Sequence, residues 1–163
     1  MILKRELDND MSISFSKSGS TIPSIGLGTW ELNGSDCSRV VTEALEIGYR
    51  HIDGAAMYEN ESEVGSAIIN SGVSREDIFL ATKINTTGWT PSNGNGPFLK
   101  NTDISKSFEK SLKDLQTDYV DLLLIHWPRF ETNLGDMLEI LYKFKDAKKV
   151  KEVGVANFNS NLL

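Results

Sequence analysis

The sequence holds one cysteine, two histidines and four prolines in 163 residues. Cys37 has no second thiol to pair with, so no internal disulfide can form and a reducing compartment is the simpler setting. Two histidines and one cysteine at no ligand spacing leave little from which to build a metal site. Basic residues number 17 against 23 acidic ones, a formal net charge of -6, which lacks the basic footprint of a nucleic-acid binder. The longest apolar stretch, Val120 to Ile125, is broken by Asp121 and is far too short to span a bilayer. Lys4 and Arg5 are followed by Glu6, Asp8 and Asp10 instead of an apolar segment, so no secretory leader is read there. These absences point to a cytoplasmic protein with no membrane or nucleic-acid partner. No glycine-rich dinucleotide fingerprint follows the first strand, and no Walker motif occurs.

What is present is a soluble-domain composition, with 39% hydrophobic and 25% charged residues, and a regular rhythm. Ser12 to Ser16 alternates, Lys17 to Ser20 reads as a turn and Thr21-Ile22 follows, which predicts a small β-hairpin. Ile25 to Trp30 is a short glycine-rich strand. Gly34-Ser35-Asp36 opens a helix carrying Val40, Val41, Ala44, Leu45 and Ile47, closed by Gly48. Strands are then expected at Tyr49–Asp53, Ile78–Lys83 and Tyr119–Ile125, and a fifth begins at Val153–Val155. Helices are expected at Glu61–Ser71, at a segment capped by Thr102-Asp103 with Ile104, Phe108, Leu112 and Leu115 on one face, and at Leu134–Ala147. The stretch Asn85–Asn101, with Asn93-Gly-Asn-Gly-Pro97 inside it, reads as a long flexible surface loop. Strands alternating with helices predict a parallel sheet covered by helices, either doubly wound or closed as a (β/α)8 barrel. No internal boundary is evident, so residues 1–163 read as part of one domain.

A chemically capable residue stands where each apolar strand runs out: Thr29, Asp53, Lys83, His126 and Asn157. Each alone has a plainer reading. Asp53 could cap a turn, Lys83 could extend its ammonium to water, His126 could be a hydrogen-bonded structural histidine, and Tyr58 a surface aromatic. In a barrel, however, the C-terminal ends of successive strands converge on one mouth, where active sites lie. Five such positions in succession favour that geometry.

Longer motifs carry the same order. Gly26-Leu-Gly-Thr-Trp30 precedes Gly48-Tyr-Arg-His-Ile-Asp-Gly-Ala-Ala-Met-Tyr-Glu-Asn-Glu-Ser-Glu-Val-Gly65. Ala81-Thr-Lys83, Asp118-Tyr-Val-Asp-Leu-Leu-Leu-Ile-His-Trp-Pro128 and Val153-Gly-Val-Ala-Asn-Phe158 follow. From about Ile13 onward the chain resembles the aldo-keto reductase family, in its bacterial and plant-type small aldehyde, ketone and diketogluconate reductases. The resemblance implies an α/β fold of (β/α)8 TIM-barrel type with an N-terminal hairpin. It implies reduction of an aldehyde or ketone by hydride from NADP(H) more than NAD(H), with a small-molecule carbonyl as partner.

By the same resemblance Asp53, Tyr58, Lys83 and His126 match the catalytic positions. A phenol with an unperturbed pKa near 10 is a poor proton donor at neutrality, and a neighbouring ammonium favours its ionised form. Tyr58 is then the general acid, Lys83 its ammonium, Asp53 the carboxylate holding that ammonium, and His126 the group orienting the carbonyl. Cofactor contacts match at Gly28, Thr29, Trp30, Asp53, His126 and Asn157. Trp30, Tyr58, His126 and Trp127 match substrate-pocket positions, although packing is the other reading of the two tryptophans. Trp89 lies in a loop that often touches substrate, with an uncertain alignment. His51 occupies a variable position and reads as structural. Ala156 stands where a serine usually precedes the asparagine, which predicts weaker cofactor binding.

Such barrels need about 250 residues, and this chain ends just after its fifth strand. It is therefore expected to be the N-terminal part of a barrel, truncated before three further strands, from a parent that is a monomer. The competing expectation is a catalytically inactive half-barrel that associates with itself or serves as an interaction module.

Overall fold

The computed structural model describes residues 12–15, 20–128 and 133–162. Two strands, β1 (Ser12–Phe15) and β2 (Ser20–Pro23), pair antiparallel as the expected hairpin; of the turn read at Lys17 to Ser20, residues 17–19 lie outside the described residues and Ser20 opens β2. Five strands then form one parallel sheet: β3 (Leu27–Gly28), β4 (His51–Asp53), β5 (Phe79–Ile84), β6 (Val120–Ile125) and β7 (Val150–Val155). Four helices alternate with them: α1 (Gly34–Glu46), α2 (Glu61–Asn70), α3 (Asn101–Asp114) and α4 (Leu134–Asp146).

The strand order is sequential, β3-β4-β5-β6-β7, with every neighbour parallel. A doubly wound sheet reverses its order at a switch point; no reversal occurs among the described strands. Sequential right-handed crossovers place successive helices side by side on one face. That face holds the core: Cys37, Val41 and Leu45 from α1, Val64, Ala67 and Ile68 from α2, Phe108 and Leu112 from α3, Met137 and Leu141 from α4.

Side-chain alternation divides each strand between the two faces. On β5, Leu80, Thr82 and Ile84 point toward the helices, while Phe79, Ala81 and Lys83 point to the opposite, inner face. Register carries this across the sheet, since Asp53 pairs with Ala81, and Lys83 with Leu124. Leu122 and Leu124 are half-buried on the inner face, whereas Leu123 and Ile125 are fully buried under the helices.

Local chemistry explains the boundaries. Helix α1 ends where Gly48 takes φ 108°, letting its N–H bond to Leu45 O and that of Tyr49 to Ala44 O. Gly65 faces the end of α3, where an added Cβ would lie 2.5 Å from Leu115 carbonyl carbon, so only glycine allows α2 to approach. Helix α3 begins earlier than its expected Thr102-Asp103 cap. Lys100 occupies the N-cap in extended conformation, and Asp103 falls in the first turn, where its N–H bonds to Lys100 O.

Asp121, the polar interruption of an apolar strand, is 4% exposed and fully engaged. Its carboxylate accepts from Leu80 N at 2.9 Å and Arg75 at 2.8 Å, and pairs with Lys151 at 2.7 Å. Arg75 also stacks 4.1 Å over Tyr119 and donates to Ile78 O, Tyr119 O and Thr117 Oγ1. This network closes the end of the sheet opposite the site below. Cys37 is buried, which pushes its thiol up to about 11 and leaves it unreactive.

Candidate active site

Asp53 is the last residue of β4, and Lys83 stands one residue before the end of β5, both on the inner face. Lys83 Nζ donates to Asp53 Oδ1 and Oδ2, each at 2.8 Å, and to Gly54 O at 2.8 Å. Its fourth neighbour is the Tyr58 hydroxyl at 3.4 Å. Lys83 is only 7% exposed, and three N–H groups facing four oxygens leave its ammonium no need of water. Asp53 is the more open partner, with 38% of its side chain exposed.

Tyr58 comes from no strand. It ends a 3₁₀ turn (Ala56–Tyr58) that follows β4, with its N–H bonded to Ala55 O. The next residue, Glu59, takes φ 58°, a left-handed conformation unusual outside glycine. That reversal sends the chain into α2 and leaves the phenol over the end of the sheet. The Tyr58 ring contacts His126 edge-on at 5.6 Å and Trp30 at 4.9 Å.

His126 directly follows β6, its N–H bonded to Ile84 O. Burial, and next the Lys83 ammonium, push its pKa down to about 4, against the weaker pull of Asp53. At neutral pH the imidazole is therefore uncharged, with one N–H to donate and one nitrogen to accept. Its Nδ1 is buried and finds no hydrogen-bond partner among the described residues. A neutral donor ring beside a fixed ammonium and a phenol suits an oxygen that gains negative charge.

Around this centre lies an aromatic rim. Trp30 and Trp127 are 43% and 41% exposed, at odds with the core-packing reading of either. Trp127 stacks on His126 at 5.9 Å between ring centres, and Trp89 lies 6.0 Å from Trp30. The structure thus puts Trp89 at the site, which its loop position alone did not establish. Its loop is folded back on itself, with Thr90 and Gly94 bonding reciprocally and Gly96 N donating to Gly88 O.

The remaining expected residues surround the centre in supporting positions. Thr29 is fully buried, and both its N–H and hydroxyl bond to Asp53 O, at 3.0 and 3.2 Å. Asn157, at φ 62°, donates its amide to His126 O at 2.7 Å. Gly28 sits beside Asp53 in register, and a Cβ built on it would meet nothing within 4 Å, so the space above it is open. His51 is structural as read: its Nδ1 lies 3.4 Å from Pro23 O and its ring packs edge-on against Phe79.

Two participants were not read from the sequence. Asn60, 1% exposed, donates to Thr29 O at 2.7 Å and Leu32 O at 2.8 Å, joining the Tyr58 segment to the loop that carries Trp30. Glu61, 6% exposed, accepts from the Thr82 hydroxyl at 2.6 Å. Asn60 adjoins Tyr58 inside the motif and could have been suspected; nothing in the pattern singled out Glu61.

Similarity to known proteins agrees with this fold. An aldo-keto reductase of Mycolicibacterium smegmatis is 44% identical over 141 residues, covering 86% of this chain and 48% of that protein. The methylglyoxal reductase DkgB of Salmonella typhimurium is 39% identical over 145 residues, covering 88% of this chain and 51% of that protein. The crystal structure of an aldo/keto reductase from Brucella melitensis superposes with a TM-score of 0.81 at 39% identity, covering 93% of this chain and 55% of that one. The chain thus spans about half the length of the relatives it matches. Residues 24–163 match the Aldo/keto reductase family, and the chain belongs to it.

Proposed function

We propose that this chain carries the proton-transfer centre of an NAD(P)H-dependent reductase that converts an aldehyde or ketone to an alcohol on a (β/α)8 barrel. The observation that carries the reading is the Lys83 ammonium, fixed by Asp53 and Gly54 O and set 3.4 Å from the Tyr58 hydroxyl.

Tyr58 donates its proton to the carbonyl oxygen as that oxygen becomes negative. Lys83 stabilises the phenolate that remains, and Asp53 keeps the ammonium charged and in place. Neutral His126 donates a hydrogen bond to the same oxygen and sets the orientation of the carbonyl. Water reprotonates the phenolate afterwards, and in the reverse direction the phenolate acts as base. The reduced nicotinamide, when bound, supplies the hydride that no side chain can. Gly28, Thr29, Trp30, Asp53, His126 and Asn157 are the residues of this chain placed to hold it, and the open space above Gly28 fits that role. By family resemblance NADP(H) is favoured over NAD(H).

Trp30, Tyr58, His126 and Trp127 form the substrate wall, with Trp89 beside them. The name of the DkgB relative, and that of a solved putative 2,5-diketo-D-gluconic acid reductase B 36% identical to this chain, suggest small oxo-aldehydes and sugar-derived ketones as candidates. The lone, buried Cys37 is compatible with a cytoplasmic setting.

Tyr58→Phe tests the reading. Oxidation of the reduced nicotinamide in the presence of methylglyoxal should be abolished, while quenching of protein fluorescence by the nicotinamide persists. Undiminished reduction by the phenylalanine variant refutes the assignment.

A further inference from the structure

We propose that Glu61 and Thr82 form a positioning pair that sets the separation of Tyr58 from Lys83, an inference that rests on the catalytic reading above.

The two reacting groups are located by different parts of the chain. Lys83 is fixed by Asp53 and Gly54 O, with three contacts of 2.8 Å. Beyond Gly54, the segment bearing Tyr58 contributes only the long 3.4 Å contact to that set. At this length a small displacement of the phenol breaks the interaction, so the placement of the Tyr58 segment decides it.

Three consecutive side chains fix the exit from Tyr58, each to a different neighbour. Glu59 accepts from Ser92 N at 3.0 Å and from the Ser92 hydroxyl at 2.5 Å, at an exposed position. Asn60 holds the loop after β3. Glu61, three residues from Tyr58, reaches β5 itself and bonds to Thr82, the residue before Lys83. Thr82 and Lys83 point to opposite faces of the sheet, so β5 is gripped from behind at Thr82 while Lys83 meets Tyr58 in front. Of the three ties, only the one made by Glu61 connects the phenol's segment to the lysine's strand.

Stability alone does not account for a carboxyl here. Glu61 shares its buried helix face with Val64, Gly65, Ala67 and Ile68. Burial pushes its pKa up, against the opposing effect of the Thr82 and Ser111 hydroxyls. An apolar residue of similar volume opposite a valine would avoid that desolvation. What a leucine cannot supply is a directional bond of fixed length between α2 and β5.

The decisive variant removes both partners. Glu61→Leu combined with Thr82→Val, and with Ser111→Ala to remove the buried hydroxyl that also faces Glu61, leaves no orphaned polar atom, and its melting temperature should match the parent's. Its kcat should fall about 10- to 100-fold, the scale of a displacement near 1 Å, with KM for the carbonyl unchanged. A crystal structure of that variant should show Tyr58 Oη beyond hydrogen-bond distance of Lys83 Nζ. Glu61→Gln and Thr82→Ser, which each keep the bond, should retain parental kcat. An unchanged Tyr58–Lys83 separation overturns the inference, as does an unchanged kcat in an active parent. Should the parent reduce no carbonyl, the catalytic reading fails by itself, and the crystallographic separation alone decides this one.

Discussion

Replacing Lys83 with methionine tests the electrostatic centre of the site, because it removes the charge while keeping most of the side-chain volume. At the 3.4 Å separation from Tyr58 Oη, an ammonium and a phenolate attract by about 5 kcal/mol at an effective dielectric of about 20. The Asp53 carboxylate remains in both proteins and drops out of the comparison, while a transition state in which about half of the phenolate charge has developed feels roughly half of that attraction. A net loss of about 2.5 kcal/mol in the transition state corresponds to a rate on the order of 10²-fold slower. The assay is single-turnover oxidation of the reduced nicotinamide with saturating carbonyl, followed by its absorbance. The loss should fall on kcat, since the ammonium acts on charge that develops only during proton transfer. Stability changes as well: Gly54 O loses its partner, at a cost of about 1–3 kcal/mol. Asp53 can rehydrate through its exposed side. The melting temperature should therefore fall by roughly 2–12 °C, and rates belong below the variant's transition. A Lys83→Met protein with parental kcat, or one impaired only in KM, refutes the role given to the ammonium.

The rest of the fold answers to perturbation in the same way. Asp121→Asn strips the counter-charge from Arg75 and Lys151 while preserving shape; because Lys151 is half-exposed, the loss should lie near the low end of the roughly 3–5 kcal/mol expected of a broken buried pair. Urea unfolding measures it, and an unchanged midpoint contradicts the network. His126 is held neutral by burial, with its pKa pushed down to about 4, so the unfolded chain takes up its proton first as pH falls. Its contribution is complete above about pH 6.5 and is lost progressively toward pH 4; subtracting the pH–stability curve of His126→Asn isolates that slope, and parallel curves would show the ring is not so buried. Gly65→Ala should destabilise by more than the roughly 1–3 kcal/mol of ordinary overpacking, because the new methyl meets Leu115 backbone at 2.5 Å. Gly154→Ala, which meets only the movable Cδ2 of Leu124 at 3.0 Å, should cost clearly less in the same melting experiment.

The sequence and the structure agree where a residue's surroundings repeat along the chain, and part company where its partner is distant. Helices α2 and α4 end within one residue of their expected limits, because apolar spacing and the turn that follows are local signals. Strand β3 was expected over Ile25–Trp30 and pairs only at Leu27–Gly28. Gly26 is pressed against the His51 ring, where a Cβ would lie 2.7 Å from Nδ1, and Thr29 turns inward to bond Asp53 O. Strand β7 begins at Val150 instead of Val153, and its charged residues Lys151 and Glu152 pair with Asp121 and Lys145. Asp53, Lys83 and His126 could be grouped because strand ends converge whatever the helices do. Tyr58 had no such cue, lying on a 3₁₀ turn, and only the surrounding motif singled it out.

Glu61 marks where this kind of legibility stops. An acid in the first turn of a helix is what the helix dipole favours on any exposed surface. Its partner, Thr82, lies in an apolar strand where a threonine is unremarked β-former. Only the crossover that lays α2 against β5 makes them neighbours. A polar side chain acquires its meaning from what it meets, and the residues that face the helices meet partners no spacing rule announces. Of the groups proposed for the chemistry, those at strand ends can be anticipated from the rhythm of the chain and Tyr58 only from its motif; the groups proposed to set the distances between them are found only by following each hydrogen bond to its other end.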